Sequence, residues 1–378
     1  MKRNDSQIAY DLLRSVRAFE QETNQRIFLA RRPTMLSTVD IAKVLAHYDI
    51  GVVESIMKAY RGFVNETVFI RTNRGRFVLR RNHRRLSEEA QRARHELLNW
   101  LQDRDVPSAP FIPTKDGETL LVLDGRSYEI MPFIEGTEFD PSRPAQLTSI
   151  GETLAAYHLA TRDYPASPEE PYPRYSAQDV MALSERLLER DMMGDLYDDL
   201  QWYDTRAAKL RSQLPIEVYR TLPHVMLHGD VHRDNFLFFG DEVVALLDFD
   251  QAAWDARVGD IADALVGFTT DSQSSMASMS WGVYKGPIDI DEATRLLAAY
   301  NAVYPLSSAE IMALPIILEL LWLQGELGRV VSTPEGAADY HLGVLGQGRM
   351  LSMWIQEHSE VLIERWKNLP AHQIRTSA

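Results

Sequence analysis

The spacing of apolar and polar positions changes along the chain, and the change predicts where its elements lie. Residues 6–30 carry Ile8, Leu12, Val16 and Phe19 at helical spacing, one apolar stripe on a polar segment. Residues 36–47 read as a second, short helix that ends at Asp49–Gly51. The period then shortens. VVESIMKAY, NETVFIRTN and RFVLRRN read as strands, with Asn73, Arg74 and Gly75 as the hairpin turn between the last two. SEEAQRARHELLNWLQ, residues 87–102, opens on Ser87 as an N-cap and returns to helical spacing, and Val106–Pro107 and Pro110 break it. TLLVLDG and RSYEIMPFI are two more strands around the turn Asp124–Gly125. Residues 50–135 thus predict a five-stranded antiparallel sheet with one inserted helix.

Beyond Gly136 the pattern is mostly helical, over 147–161, 177–193, 197–213 and long stretches of 260–365. One compact hairpin, NFLFF–GD–EVVALLD, interrupts it. The expected organisation is α+β: an N-terminal helical extension over 1–35, a sheet-bearing lobe over 36–135 and a helical lobe over 136–378.

Composition narrows the chemistry. With no cysteine among 378 residues there is no disulfide framework and no thiolate, so any metal must sit on oxygen or imidazole. Charges run throughout the N-terminal segment, which excludes a signal peptide, and ALPIILELLWL is interrupted by Pro315 and Glu319 and too short to span a bilayer. A cytoplasmic protein with no membrane partner is expected. Residues 1–105 hold 20 Lys and Arg against 13 Asp and Glu, and the remainder 20 against 41. That asymmetry argues against a nucleic-acid partner and suits two lobes that meet ligands of opposite charge.

The densest chemistry lies in HGDVHRDNFLF, residues 228–238. Asp230 is followed five residues later by Asn235, and Asp248 closes the strand VVALLD thirteen residues further on. Phosphoryl transfer needs a carboxylate at the acceptor hydroxyl, plus an amide oxygen and a second carboxylate for Mg²⁺ on the nucleotide phosphates. A loop Asp, an Asn opening a strand and an Asp closing the next one supply that set at one end of a hairpin. Hard oxygen donors suit Mg²⁺ rather than zinc. The rival reading, a two-metal hydrolase built on Gly229–Asp230–Val231–His232, lacks the further Gly-Asn-His block that a second metal needs.

HGDVHRDNFLF…VVALLDFD resembles the catalytic segment of the aminoglycoside phosphotransferase/choline kinase group, which has a protein-kinase-like fold in two lobes. The resemblance implies ATP and Mg²⁺ as cofactors and a small-molecule hydroxyl as acceptor. It implies Asp230 as the base and Asn235 and Asp248 as the metal ligands. KAYRGFVNETVF, with Gly62 and Asn65, resembles the turn that covers the phosphates, and RFVLRRN puts Arg80 where the phosphate-binding cation is usually Lys. Arg81 is expected on the opposite, solvated face. The acid paired with Arg80 is expected on helix 87–102, from Glu89 or Glu96, with Glu96 retained. EIMPFIEGT resembles the hinge, where the carbonyl of Pro132 and the N–H of Ile134 take the adenine. His232, Arg233 and Asp250 are candidates for the acceptor side, with Trp254, Trp281, Tyr284 and Trp322 as pocket aromatics.

TMLSTVDIAKVLAHYDIG, the RDN form of the loop and AAYNAVYPLSSAEIMALP resemble the homoserine kinase branch of this fold. His232 stands where that branch more often has an aromatic residue, and GFTTDS replaces its Asn-Asp-Trp pattern. A homoserine-like amino alcohol therefore heads the expected acceptors, followed by aminoglycosides, sugars and choline-type compounds. A catalytically weak nucleotide-binding scaffold is the alternative of another class, motivated by Arg80. The oligomeric state is not legible, and a homodimer stays open.

Overall fold

The computed structural model describes residues 36–58, 65–82, 87–165, 173–191, 194–280, 283–333 and 337–369. The expected helix over 6–30, Gly62 and Trp281 lie outside the described residues. The described chain forms two compact units, one from residues 36–138 with 236–250, the other from 139–235 with 251–369.

The first unit opens with α1 (Thr38–Leu45), which Ser37 and Asp40 start with a reciprocal capping box. Strands β1 (Val53–Lys58), β2 (Glu66–Thr72) and β3 (Gly75–Arg81) follow, then α2 (Glu88–Gln102), whose N-cap Ser87 accepts from the Ala90 N–H. Strands β4 (Leu121–Leu123) and β5 (Arg126–Pro132) complete an antiparallel sheet in the order β1-β2-β3-β5-β4. Asp124 and Gly125 both take positive φ, the conformation that a two-residue turn between twisted strands requires. Alternation sends Val68, Ile70, Leu79 and Ile130 into one core with Leu36, Ile41 and Val44. Register places Arg80 directly opposite Glu129, one residue along each strand from that core set and so on the other face.

The second unit begins with α3 (Pro144–Thr161), α4 (Ala177–Arg190), α5 (Tyr197–Gln213) and strand β6 (His224–Leu227). The hairpin β7 (Phe236–Phe239) and β8 (Glu242–Leu246) belongs to the first unit, where the Thr137 and Phe238 backbones exchange hydrogen bonds. Strand β9 (Ala253–Ala256) returns to pair antiparallel with β6, a pairing that the sequence pattern does not reveal. Helices α6 (Val258–Thr269), α7 (Ile290–Val303), α8 (Ser308–Ser332) and α9 (Ala338–Lys367) finish the unit.

Helix α8 corrects one expectation. It runs through Pro315 for 25 residues, and by length and composition alone it is long and apolar enough to cross a membrane. Its most apolar stretch is 72% buried inside the protein, where it supplies core residues such as Leu318, Leu321 and Trp322. Trp322 is fully buried against Trp354, which removes it as a pocket aromatic.

Candidate active site

In the second unit, β6 ends at Leu227 and delivers the chain into the loop 228–235. The loop hangs from one buried carboxylate. Asp260, in the first turn of α6, accepts the N–H groups of His228 (2.7 Å) and Gly229 (2.9 Å) and the Nε2 of His158 (3.1 Å). His158 also meets the Tyr300 hydroxyl through Nδ1 at 2.8 Å. Burial pushes the Asp260 carboxyl up, but the His158 contact, the nearby His228 imidazole and the Gly229 N–H outweigh it and hold the pKa below the ordinary value. Gly229 has φ of 77°, and a Cβ there would sit 2.1 Å from the Gln251 carbonyl oxygen, so only glycine fits. Gly267, two turns along α6, lets Val231 and His232 approach the helix backbone closely.

Within the loop, the Asn235 Nδ2 donates to the Asp230 carbonyl (2.8 Å) and to its Oδ2 (3.0 Å). His232 Nε2 lies 3.3 Å from the same oxygen, and His232 Nδ1 accepts from the Asp234 N–H at 3.3 Å. Burial raises the Asp230 carboxyl, yet the hydrogen bond from His232, the nearby imidazoles and Asn235 bring it below the usual carboxylate value. A carboxylate that stays ionised and oriented can accept a proton from a hydroxyl. His228 is fully buried and its Nδ1 receives the Asp230 N–H, which makes it a buttress of the loop.

The first unit carries a second cluster on the sheet face away from the core. Arg80 meets Glu129 (3.5 Å) and Asp250, and Arg94 on α2 meets the same two acids. Four charges alternate in a closed ring: the buried Arg80, Glu129 and Arg94, and the mostly covered Asp250. Asn82 (3.0 Å) and His95 (3.0 Å) also contact Glu129 Oε2. Burial raises the Glu129 carboxyl, but His95, Arg94 and Arg80 outweigh it and hold it at about 2. Asp248, at a φ of 59°, lies 3.5 Å from Arg80. A positive φ at a non-glycine residue is strain of the kind found at functional sites.

The family model for the phosphotransferase enzyme family matches residues 56–298. The chain belongs to that family. Among similar proteins, a homoserine kinase of Rhodopseudomonas palustris (strain BisA53) is 30% identical over 315 residues, covering 80% of this chain and 88% of that protein. A homoserine kinase of Methylobacterium radiotolerans is 29% identical over 310 residues, covering 80% and 89%. Among solved structures, an amicoumacin kinase in complex with AMP-PNP, Ca²⁺ and its ligand matches with a TM-score of 0.60 at 14% identity, covering 86% of this chain and 94% of that one. A microcompartment-associated aminopropanol kinase matches at 0.56 and 16% identity, covering 87% and 99%. The α+β, protein-kinase-like fold expected from the sequence is the fold observed, and the protein is a phosphotransferase that acts on a hydroxyl group. The family implies ATP as phosphoryl donor.

Several site residues of this phosphotransferase stand differently from expectation. Glu96 and Glu89 are exposed, and the acid opposite Arg80 is Glu129, on a strand rather than a helix. Register decides this, because Arg80 and Glu129 face each other across β3 and β5. Asn65 binds Asp250 Oδ2 at 2.8 Å rather than only steadying a turn. Arg81 is not solvated; it pairs with Glu66. Asp250 is committed to two arginines within the ring and so is a poor candidate for the acceptor side. Arg233 caps the end of α6 by donating to the Gly267 carbonyl at 2.9 Å and lies over the Phe139 ring.

At the expected hinge, the Phe133 N–H is spent on the Arg76 carbonyl. In an extended chain the Pro132 carbonyl and the Ile134 N–H then point together to the other edge. Strand β4 pairs only with residues 126–128 and does not reach that edge.

Sequence reasoning missed Asp260, His158, Arg94 and Glu129. For Arg94 a signal existed: Gln91, Arg94, Leu98 and Leu101 recur at helical spacing on the buried face of α2. Asp260 stands in the first turn of its helix, a position that predicts a role toward backbone N–H groups only once the loop is known to pass there.

Proposed function

We propose that this phosphotransferase uses Mg²⁺ and ATP to move the γ-phosphoryl onto the hydroxyl of a homoserine-like amino alcohol. The observation that carries the reading is Asp230, a half-exposed carboxylate kept ionised by His232 and Asn235 on a loop fixed from below by Asp260. Such a group takes the hydroxyl proton as the oxygen attacks phosphorus, while the leaving group departs as ADP.

The donor chemistry fits magnesium. Asn235 directs its amide nitrogen at Asp230, which leaves its amide oxygen for a cation, and the Asp248 side chain is 43% exposed. These two residues would hold the ion. When bound, Mg²⁺ would neutralise charge on the nucleotide phosphates. Arg80 is the phosphate-facing cation, and the Pro132 carbonyl and Ile134 N–H receive the adenine. The acceptor class rests on relatives that are homoserine kinases over four-fifths of this chain.

An ADP-release assay over L-homoserine, other amino alcohols, choline, sugars and aminoglycosides tests the proposal. Homoserine or a close amino alcohol is expected to give the highest kcat/KM. The reading is overturned if no hydroxyl compound raises ADP release above the rate with water alone.

A further inference from the structure

Arg80 has two competing demands. In the ring its guanidinium binds Asp250 Oδ2, and it also lies 3.5 Å from Asp248. An N–H given to Asp250 is not available to a phosphate. The Asp250 side chain is only 12% exposed, and a carboxylate stripped of its cation at that depth is strongly destabilising. Asp250 on its own would therefore hold Arg80 back.

A second cation resolves the conflict. Arg94 binds the other oxygen of Asp250, Oδ1, while Asn65 shares Oδ2. Arg94 does not follow a ligand, because its other terminal nitrogen is fixed on Glu129 Oε2 and its guanidinium lies over the Phe111 ring. Glu129 is in turn fixed by Asn82 and His95. We propose that Arg94 is a positioning residue that keeps Asp250 neutralised, so that Arg80 can turn from that carboxylate to a nucleotide phosphate. The inference rests on the assignment of Arg80 to phosphate given above. It makes a helix arginine, in place of the helix acid expected from the sequence, the partner that sets nucleotide affinity.

The test is a double-mutant cycle on the full-length chain, read as the Kd for AMP-PNP with Mg²⁺. Arg94→Gln is expected to weaken binding by about tenfold or more, since Asp250 then holds Arg80. Arg94→Gln combined with Asp250→Asn removes the competitor and is expected to bind at least about fivefold more tightly than Arg94→Gln alone. Arg94→Lys should fall between Arg94→Gln and the unmodified protein. If Arg94→Gln does not fold, the same cycle run with Arg94→Lys must show recovery of the same sign. A merely structural arginine gives no recovery, so a double variant as weak as the single one overturns the proposal, as does unchanged affinity in Arg94→Gln. Arg80→Ala separates the two levels. If it binds AMP-PNP normally, the phosphate assignment itself fails, whereas weakened Arg80→Ala without recovery in the cycle refutes only the role of Arg94.

Discussion

The two clusters hold their functional groups by opposite means. In the helical unit a single buried carboxylate, Asp260, gathers backbone N–H groups, and the loop it holds spans eight consecutive residues. Among the described residues of the sheet unit no such backbone anchor serves Arg80. Four side chains from positions 80, 94, 129 and 250 neutralise one another in a ring. A backbone anchor fixes a carboxylate in one place, which suits the proton-acceptor role proposed for Asp230. A ring of side chains can exchange a partner without exposing a bare charge, which suits the phosphate role proposed for Arg80.

The largest expected effect tests the loop. Asp230→Asn should lower kcat by about 10²–10⁴ while leaving AMP-PNP affinity near that of the unmodified protein. Steady-state kinetics that show a retained rate would remove the base from the comparison. Asp260→Ala strands two backbone donors and His158 in a dry site, and should cost about 3–5 kcal/mol in urea denaturation. A loss below about 1 kcal/mol would mean that the loop is held by something else.

The ring should show itself in acid. The Glu129 carboxyl is held at about 2 against an ordinary 4.5, burial being outweighed by His95, Arg94 and Arg80. A depressed carboxyl stabilises the fold above its unfolded pKa, and that contribution is lost as pH falls from about 4.5 through about 2. The contribution is on the order of 3 kcal/mol. Urea midpoints taken across that window should fall steeply, and Glu129→Gln should flatten the slope. The smallest effect sharpens the contrast between strand acid and helix acid. Glu96→Ala, on the exposed side of α2, should change stability by no more than about 0.5 kcal/mol and leave nucleotide affinity unaltered.

The loop was legible because its chemistry is local. Asp230, Asn235 and the glycine that permits the turn sit within one short motif, and the period of the flanking residues announces the strands on either side. The sheet and most helices were legible for the same reason, down to the Ser87 cap and the turn at Asp124–Gly125. The ring was not. The helical stripe of α2 includes Arg94 in its buried face, but the apolar bias of a stripe search passes over an arginine, and the exposed acids Glu89 and Glu96 attracted the assignment instead.

The sequence by itself determined which residue types are present for phosphoryl transfer, their order, and the periodicities that build a five-stranded sheet followed by helices. Those are properties of spacing along one chain, set by backbone geometry within a few residues. Only the tertiary structure decided that Glu129 faces Arg80, that Arg94 shares Asp250, and that Asp260 gathers the loop. Each of those choices depends on strand register or on contacts between residues 31 to 170 positions apart. Burial there makes an unpaired charge or N–H too costly to leave alone, so partners are fixed by packing, which local pattern does not encode.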